Sequence, residues 1–240
     1  MKKLQGLIAV VIILMVASVA QAATVPLDGG IALNGIFDGL LGSNRILDAS
    51  KPAYTPDQVW NTSHSGSITT LEYYDAVSLN GATFGIYDVA TGKTLEIFSD
   101  TSLGRKTMMW SSSLGTATVL GFDGQFSEQI DLNNYGYYLA VGNSTYYSED
   151  FKNLDGKDHM LAYAGNGVDL FSVDNQLFKV EDFLLAWDAN TGGLFDYADY
   201  IISVESASPN AVPEPSSVLL LGGGLIGLGF AGYRRLQNKQ

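Results

Sequence analysis

Thr83-Phe84-Gly85-Ile86-Tyr87-Asp88-Val89, Ala90-Thr91-Gly92-Lys93 and Thr94-Leu95-Glu96-Ile97-Phe98 follow one another without interruption, and this stretch decides the fold. Two runs rich in aromatic and β-branched residues flank a break built from turn formers. That pattern specifies a β-hairpin. Outward from it, Ser67–Val77 reads as a strand before the hairpin. After it come Thr116–Gly121, Phe126–Leu132, Tyr135–Val141, Thr145–Tyr147, His159–Ala164, Leu177–Lys179, Phe183–Trp187 and Tyr200–Val204. Short strands at this spacing, without long amphipathic helices between them, predict an all-β antiparallel β-sandwich or jelly roll over residues 65–205. Residues 23–64 read as irregular. Gly29-Gly30, Asn34-Gly35, Gly39 and Gly42-Ser43-Asn44 break the pattern, and the rough helical spacing of Leu33, Ile36, Leu40 and Leu41 supports at most one short helix. Residues 206–211 read as a polar linker.

The two ends carry apolar segments of a different kind. Lys2-Lys3, the apolar run Leu7–Val19 and the small-x-small pattern Ala20-Gln21-Ala22 make up a secretory signal peptide over residues 1–22, with cleavage before Ala23. At the other end, Val212-Pro213-Glu214-Pro215-Ser216-Ser217 precedes an apolar stretch, Val218–Tyr233, which Arg234 and Arg235 terminate. A helix over that stretch would span roughly 24 Å at about 1.5 Å per residue, somewhat short of a hydrocarbon core of about 30 Å. Five glycines, Gly222, Gly223, Gly224, Gly227 and Gly229, weaken it further as a helix. The sandwich is thus expected between an N-terminal signal helix and a short C-terminal hydrophobic helix, with the arginine pair as the membrane stop.

Pro213-Glu214-Pro215, the glycine-interrupted apolar segment and the terminal arginine pair together resemble the PEP-CTERM sorting signal of residues 212–240. The resemblance implies export through the translocon, leader removal by signal peptidase and transient membrane anchoring. It also implies processing by an exosortase in a Gram-negative bacterium that makes extracellular polysaccharide. The middle of the chain, about Gln58 to Val204, is similar to domain of unknown function family 4114, a β-rich family often fused to such tails. The matching blocks are Phe84-Gly85-Ile86-Tyr87-Asp88, Tyr146–Asp150 with Asp158-His159-Met160, and Phe183–Asp188 with Gly192-Gly193, Asp196-Tyr197 and Asp199-Tyr200. The chain departs from that family's pattern at Trp187, where an acidic residue is usual, and at Ala198, where Asn is usual.

Between the ends, residues 23–211 hold 24 acidic and 8 basic residues, a net charge of −16. Such a surface excludes nucleic-acid binding by counterion release and attracts cations. The chain has no cysteine, which excludes disulfides and thiol chemistry. Asp188, Asn190, Asp196 and Asp199, around Gly192-Gly193, place hard oxygen ligands on one loop, as calcium requires; the same residues also serve as ordinary turn formers. Asp155, Asp158 and His159 form a second cluster, with His64 far away in sequence. Glu149 and Asp150 are an adjacent acidic pair of the kind glycosidases use, but no organised catalytic constellation accompanies them. Tyr135, Tyr137, Tyr138, Tyr146 and Tyr147 offer either sugar-stacking rings or cross-strand core pairs.

The sequence therefore predicts an exported, non-catalytic surface or extracellular-matrix protein. A carbohydrate-binding module or adhesin that uses calcium is the alternative, and a glycan-active enzyme is the third reading. N-terminal sequencing of the protein from its own cells should read from Ala23; an intact Met1 on the membrane fraction would contradict the leader.

Overall fold

A computed structural model describes residues 27–53, 58–62, 66–74, 79, 81–99, 104–111, 114–121, 124–189 and 195–210. The expected signal peptide, residues 1–22, and the expected sorting tail, residues 212–240, lie outside the described residues. The hairpin forms as expected: β3 (Thr83–Asp88) pairs antiparallel with β4 (Thr94–Phe98), with Tyr87 opposite Thr94 and Ile86 opposite Leu95. Its turn closes with Asp88 N–H donating to Lys93 O (2.9 Å) and Gly92 N–H to Asp88 O (2.8 Å). Gly92 sits at φ +72°, where the absence of a Cβ removes the steric cost. The Asp88 carboxylate accepts from the Thr91 N–H (2.7 Å), the Thr91 hydroxyl (2.8 Å) and the Asp131 N–H (2.8 Å). Burial opposes its charge, but these donors outweigh burial and hold the carboxyl below its ordinary value.

The remaining strands are β1 (Trp60–Asn61), β2 (Gly66–Tyr74), β5 (Gly104–Ser111), β6 (Thr116–Gly121), β7 (Gly124–Gln129), β8 (Tyr135–Val141), β9 (Ser144–Tyr147), β10 (Met160–Ala164), β11 (Phe183–Trp187), β12 (Tyr200–Val204) and β13 (Ser208–Pro209). One sheet runs β13-β1-β8-β3-β4, with β9 on the other end of β8; the second runs β10-β11-β12-β2-β5-β6-β7. Both are antiparallel and pack face to face, so the chain is a β-sandwich. Alternation decides which side chains meet. Phe84, Ile86, Tyr135, Tyr137 and Leu139 of one sheet pack against Met160, Leu185, Trp187, Tyr200 and Ile202 of the other.

In the second sheet, β10, β11 and β12 are buried on both faces. Phe183, Leu185 and Trp187 of β11 point into the sandwich, while Leu184 and Ala186 point outward into a second core with Leu161, Tyr163 and Ile201. That outer core is closed by a helix, α1 (Leu27–Leu41), through Leu33, Phe37 and Leu41. The reading of residues 23–64 as irregular is thereby corrected. Glycine costs about 1 kcal/mol per residue in a helix interior, yet an i, i+4, i+8 stripe buried on the sheet overrides that local preference. The edge of β10 is also covered: Ala53 N–H donates to Ala162 O (2.9 Å), and the Tyr163 hydroxyl donates to Ala49 O (2.8 Å).

Residues 206–211 are likewise not a free linker as far as Asn210. Ser208–Pro209 pairs with Trp60–Asn61, Ala207 is buried, and Asn210 N–H donates to Val59 O (2.6 Å). A polar dipeptide suffices there because edge pairing uses backbone groups. β5 was absent from the sequence reading as well: Gly104-Arg105-Lys106-Thr107 is polar, and Met108 and Trp110 alone among its residues are buried.

The outer face of the first sheet is registered by a reciprocal pair. Gly85 lies opposite Tyr138 and Gly136 opposite Tyr87. A Cβ on Gly136 would lie 2.3 Å from the Tyr87 ring, and one on Gly85 would lie 2.7 Å from the Tyr138 ring. Each tyrosine thus lies across the glycine of the neighbouring strand. Gly136→Ala should lower stability by about 1–3 kcal/mol, the usual cost of overpacking. Gly39→Ala, at an exposed helical position with open space around its Cβ, should raise stability by up to about 1 kcal/mol. Urea denaturation checks both.

Candidate functional site

Asp188 follows β11 directly and is fully buried. Its backbone N–H donates to His159 O (3.0 Å), which extends the β10–β11 ladder by one residue. The chain then returns to start β12, which brings Asp196 and Asp199 back to Asp188. Carboxylate oxygens of Asp188, Asp196 and Asp199 lie within 4.8 Å of one another. Backbone donors hold the loop in place. Asp196 N–H donates to Asp188 Oδ2 (2.7 Å), Ala189 N–H to Asp199 Oδ2 (2.8 Å), and Ala198 N–H to Asp196 Oδ1 (3.1 Å). Tyr197 adopts a left-handed φ of +52°, and Asp188 Oδ2 also receives its N–H at 3.4 Å. Three of the four expected calcium ligands are therefore together. The fourth, Asn190, lies outside the described residues, as do Gly192-Gly193.

His159 is buried beneath this loop. Its Nδ1 is 2.7 Å from Asp188 O, and because a carbonyl can only accept, Nδ1 carries the hydrogen. Nε2 faces both Asp155 oxygens at 3.2 Å. Burial works against the Asp155 charge, but the Lys157 N–H and the His159 ring outweigh it and lower the carboxyl below its usual range. Tyr146 packs on the imidazole at 4.3 Å between ring centroids, and its hydroxyl donates to Ala189 O (2.7 Å). Burial raises the Tyr146 phenol, and the charges of Asp188, Asp155 and Asp199 raise it further. Tyr197 is raised too, by burial first and then by Asp158 and Asp188. His159 thus fastens the loop, and both of its nitrogens are engaged.

The other sequence candidates are dispersed. Glu149 is buried and accepts the Tyr87 hydroxyl, with Lys152 Nζ 3.8 Å away, while Asp150 begins the 3₁₀ turn Asp150–Lys152. Asp158 caps β10 locally by accepting the Met160 N–H (3.0 Å). Tyr135 and Tyr137 are core residues, Tyr138 covers Gly85, and Tyr147 meets Tyr87 edge to face. Trp187, which departs from the family 4114 pattern, is wholly inside the sandwich and does not face the acidic loop. His64 lies outside the described residues. The contact of Tyr146 with Ala189 was not read from the sequence; the two residues are 43 positions apart, and no local spacing signals it.

Comparison with known proteins places one element. A family model described as the PEP-CTERM protein-sorting motif matches residues 211–235. No curated protein and no solved structure matches the chain. The chain thus carries a PEP-CTERM sorting motif, which marks an exported, membrane-associated protein of the cell envelope that an exosortase-type membrane enzyme processes. Among the described residues no helix is long and apolar enough to cross a membrane.

Asp188→Ala removes the acceptor of the half-buried Asp196 N–H and of the buried Tyr197 N–H. It should lower stability by about 1–3 kcal/mol, the cost of an unsatisfied buried donor. Asp196→Ala, at a half-buried position, should cost less in calcium-free buffer. Urea midpoints of the two variants test the ranking.

Proposed function

We propose that this chain is a non-catalytic surface or matrix protein, displayed in an extracellular polysaccharide layer after exosortase processing. The sorting motif at residues 211–235 carries this reading. The sandwich supports it. Among the described residues, His159 is tied into the fold through Asp188 O and Glu149 through the Tyr87 hydroxyl. The strongly acidic surface suits a soluble exposed domain. We take the sandwich to be akin to family 4114. The tail acts as a sorting device: Pro213 and Pro215 lack N–H groups and disfavour helix at the residues before them, a chemistry suited to recognition of Glu214 by a membrane-embedded enzyme. Changing Pro213, Glu214 and Pro215 together to alanine should leave membrane insertion intact and block processing, so that a longer form accumulates on immunoblots of fractionated native cells. Processing identical to wild type would refute it.

A second reading adds calcium-dependent glycan binding, favoured by the convergence of Asp188, Asp196 and Asp199. Backbone N–H groups orient each carboxylate, two of them on Asp188 Oδ2, one on Asp199 Oδ2 and one on Asp196 Oδ1. Calcium at a hundredfold excess over its dissociation constant would then stabilise the fold by about 2.7 kcal/mol. Chelator should lower the melting temperature, and Asp196→Ala should abolish that response. Identical melts with calcium and with chelator would remove this reading.

A further inference from the structure

At the opposite end of β11 from the acidic loop, α1 stops short of covering the sheet and leaves a cavity of about 100 Å³. Its floor is the outer face of the second sheet, with Thr70 and Glu72 from β2, Arg105 from β5 and Ser203 from β12. Its roof is the excursion between β10 and β11. That excursion is stapled by Phe171 N–H to Gln176 O (2.8 Å) and tied to the helix end by Ser172 N–H to Leu40 O (2.7 Å). Asp182 and Glu205 complete the lining, and Leu40, Phe171, Val173 and Leu177 give it apolar walls.

The charge in this cavity is unbalanced. Glu72, Asp174, Asp182 and Glu205 face a single guanidinium, Arg105, whose Nη2 lies 3.5 Å from Asp174 Oδ2. Glu72 is partly buried, and its Oε1 accepts the Ser203 hydroxyl at 2.6 Å. Burial raises its carboxyl; that hydrogen bond and the Arg105 charge oppose the rise, and the Asp174 charge adds to it. Asp182 is only 4% exposed. Its Oδ2 accepts the Lys179 N–H at 3.1 Å, whereas its buried Oδ1 has no hydrogen-bond partner among the described residues. Burial first, and the nearby Glu205 and Glu181 charges after it, push the Asp182 carboxyl up to about 6, against the Lys179 N–H and ammonium. A buried carboxylate oxygen without a donor is a costly arrangement that a cation would relieve.

We propose that this cavity is a binding site for a primary ammonium group carried on a short carbon frame. An ammonium brings three donors and no acceptor, which matches the carboxylates of Asp182 and Glu72 and a hydroxyl from Thr70 or Ser203. The apolar walls of Leu40, Phe171, Val173 and Leu177 suit the carbon frame. The volume is well below the roughly 300–1,000 Å³ of pockets that enclose a whole small molecule, so the cavity takes one arm of a larger ligand. Two sources carry that chemistry: a lysine side chain and an amino sugar. The inference rests on the cavity alone and is independent of the sorting reading.

The test is isothermal titration calorimetry of the full chain in detergent micelles at pH 7.5 and low salt. The probes are Nα-acetyl-lysine amide and glucosamine, with N-acetylglucosamine and calcium chloride as controls. At least one amine should bind saturably while N-acetylglucosamine gives no saturable heat. Tighter binding of glucosamine assigns an amino-sugar source; tighter binding of the lysine probe assigns a peptide source. Asp182→Asn should weaken the amine at least tenfold, and Glu96→Gln, exposed on β4 of the other sheet, should leave it unchanged. The sign of the Asp182 shift favours a folded variant. A carboxyl raised in the folded state loses stability as pH climbs from its ordinary value through about 6, so removing the charge relieves that loss at pH 7.5. Glu72→Gln is the second variant and should also weaken binding. Absence of saturable heat with both amines, equal affinity in wild type and Asp182→Asn, or calcium binding lost in Asp182→Asn without any amine binding would each overturn the proposal. Failure here leaves the processing blot untouched, so the two readings fail separately.

Discussion

Burial of β11 on both faces is the constraint on which the rest of the structure depends. All five residues of Phe183–Trp187 are buried. Fully burying a large apolar side chain contributes about 1.5–3 kcal/mol, so this strand is a dense source of stability. It draws on two separate cores. Phe183, Leu185 and Trp187 bind it to the opposing sheet, and Leu184 and Ala186 bind it to α1. Its neighbours β10 and β12 share this double burial, which fixes three adjacent strands as the rigid centre of the domain.

That rigid centre explains where polar chemistry collects. β11 is bounded by two buried aspartates, Asp182 before Phe183 and Asp188 after Trp187. Each lies where a strand covered on both faces gives way to loop, so each carboxylate is held in a partly desolvated setting by a fixed backbone. Their surroundings differ. Asp188 is satisfied by the loop it organises and converges with Asp196 and Asp199. Asp182 keeps one oxygen unpaired beside a cavity with apolar walls. The sorting motif matches residues 211–235, after the last strand of the sandwich in sequence.

Much of the sandwich was legible from alternation. β4, β6, β8, β11 and β12 have the bounds that their apolar and turn residues specify. The elements that escaped did so for physical reasons. α1 holds glycines that local propensity reads as breakers, and its stability comes from a partner sheet some 130 residues away in sequence. β1 and β13 are two-residue strands at one end of the first sheet, and their pairing rests on backbone groups. In the acidic loop, the density of Asp and Gly announced three of the residues that converge. Asp182 gave no signal. It is one carboxylate among the 24 of residues 23–211, and its isolation arises from α1 and the β10–β11 excursion, neither of which periodicity reveals.

Hydrogen–deuterium exchange followed by fragment mass spectrometry tests the central claim most directly. If double burial of β10, β11 and β12 organises the domain, amides of Leu184–Ala186 and Ile201–Ser203 should exchange only through global unfolding. They should then be far slower than those of the exposed edge strand β7. Exchange of these central amides as fast as that of β7 would contradict the account.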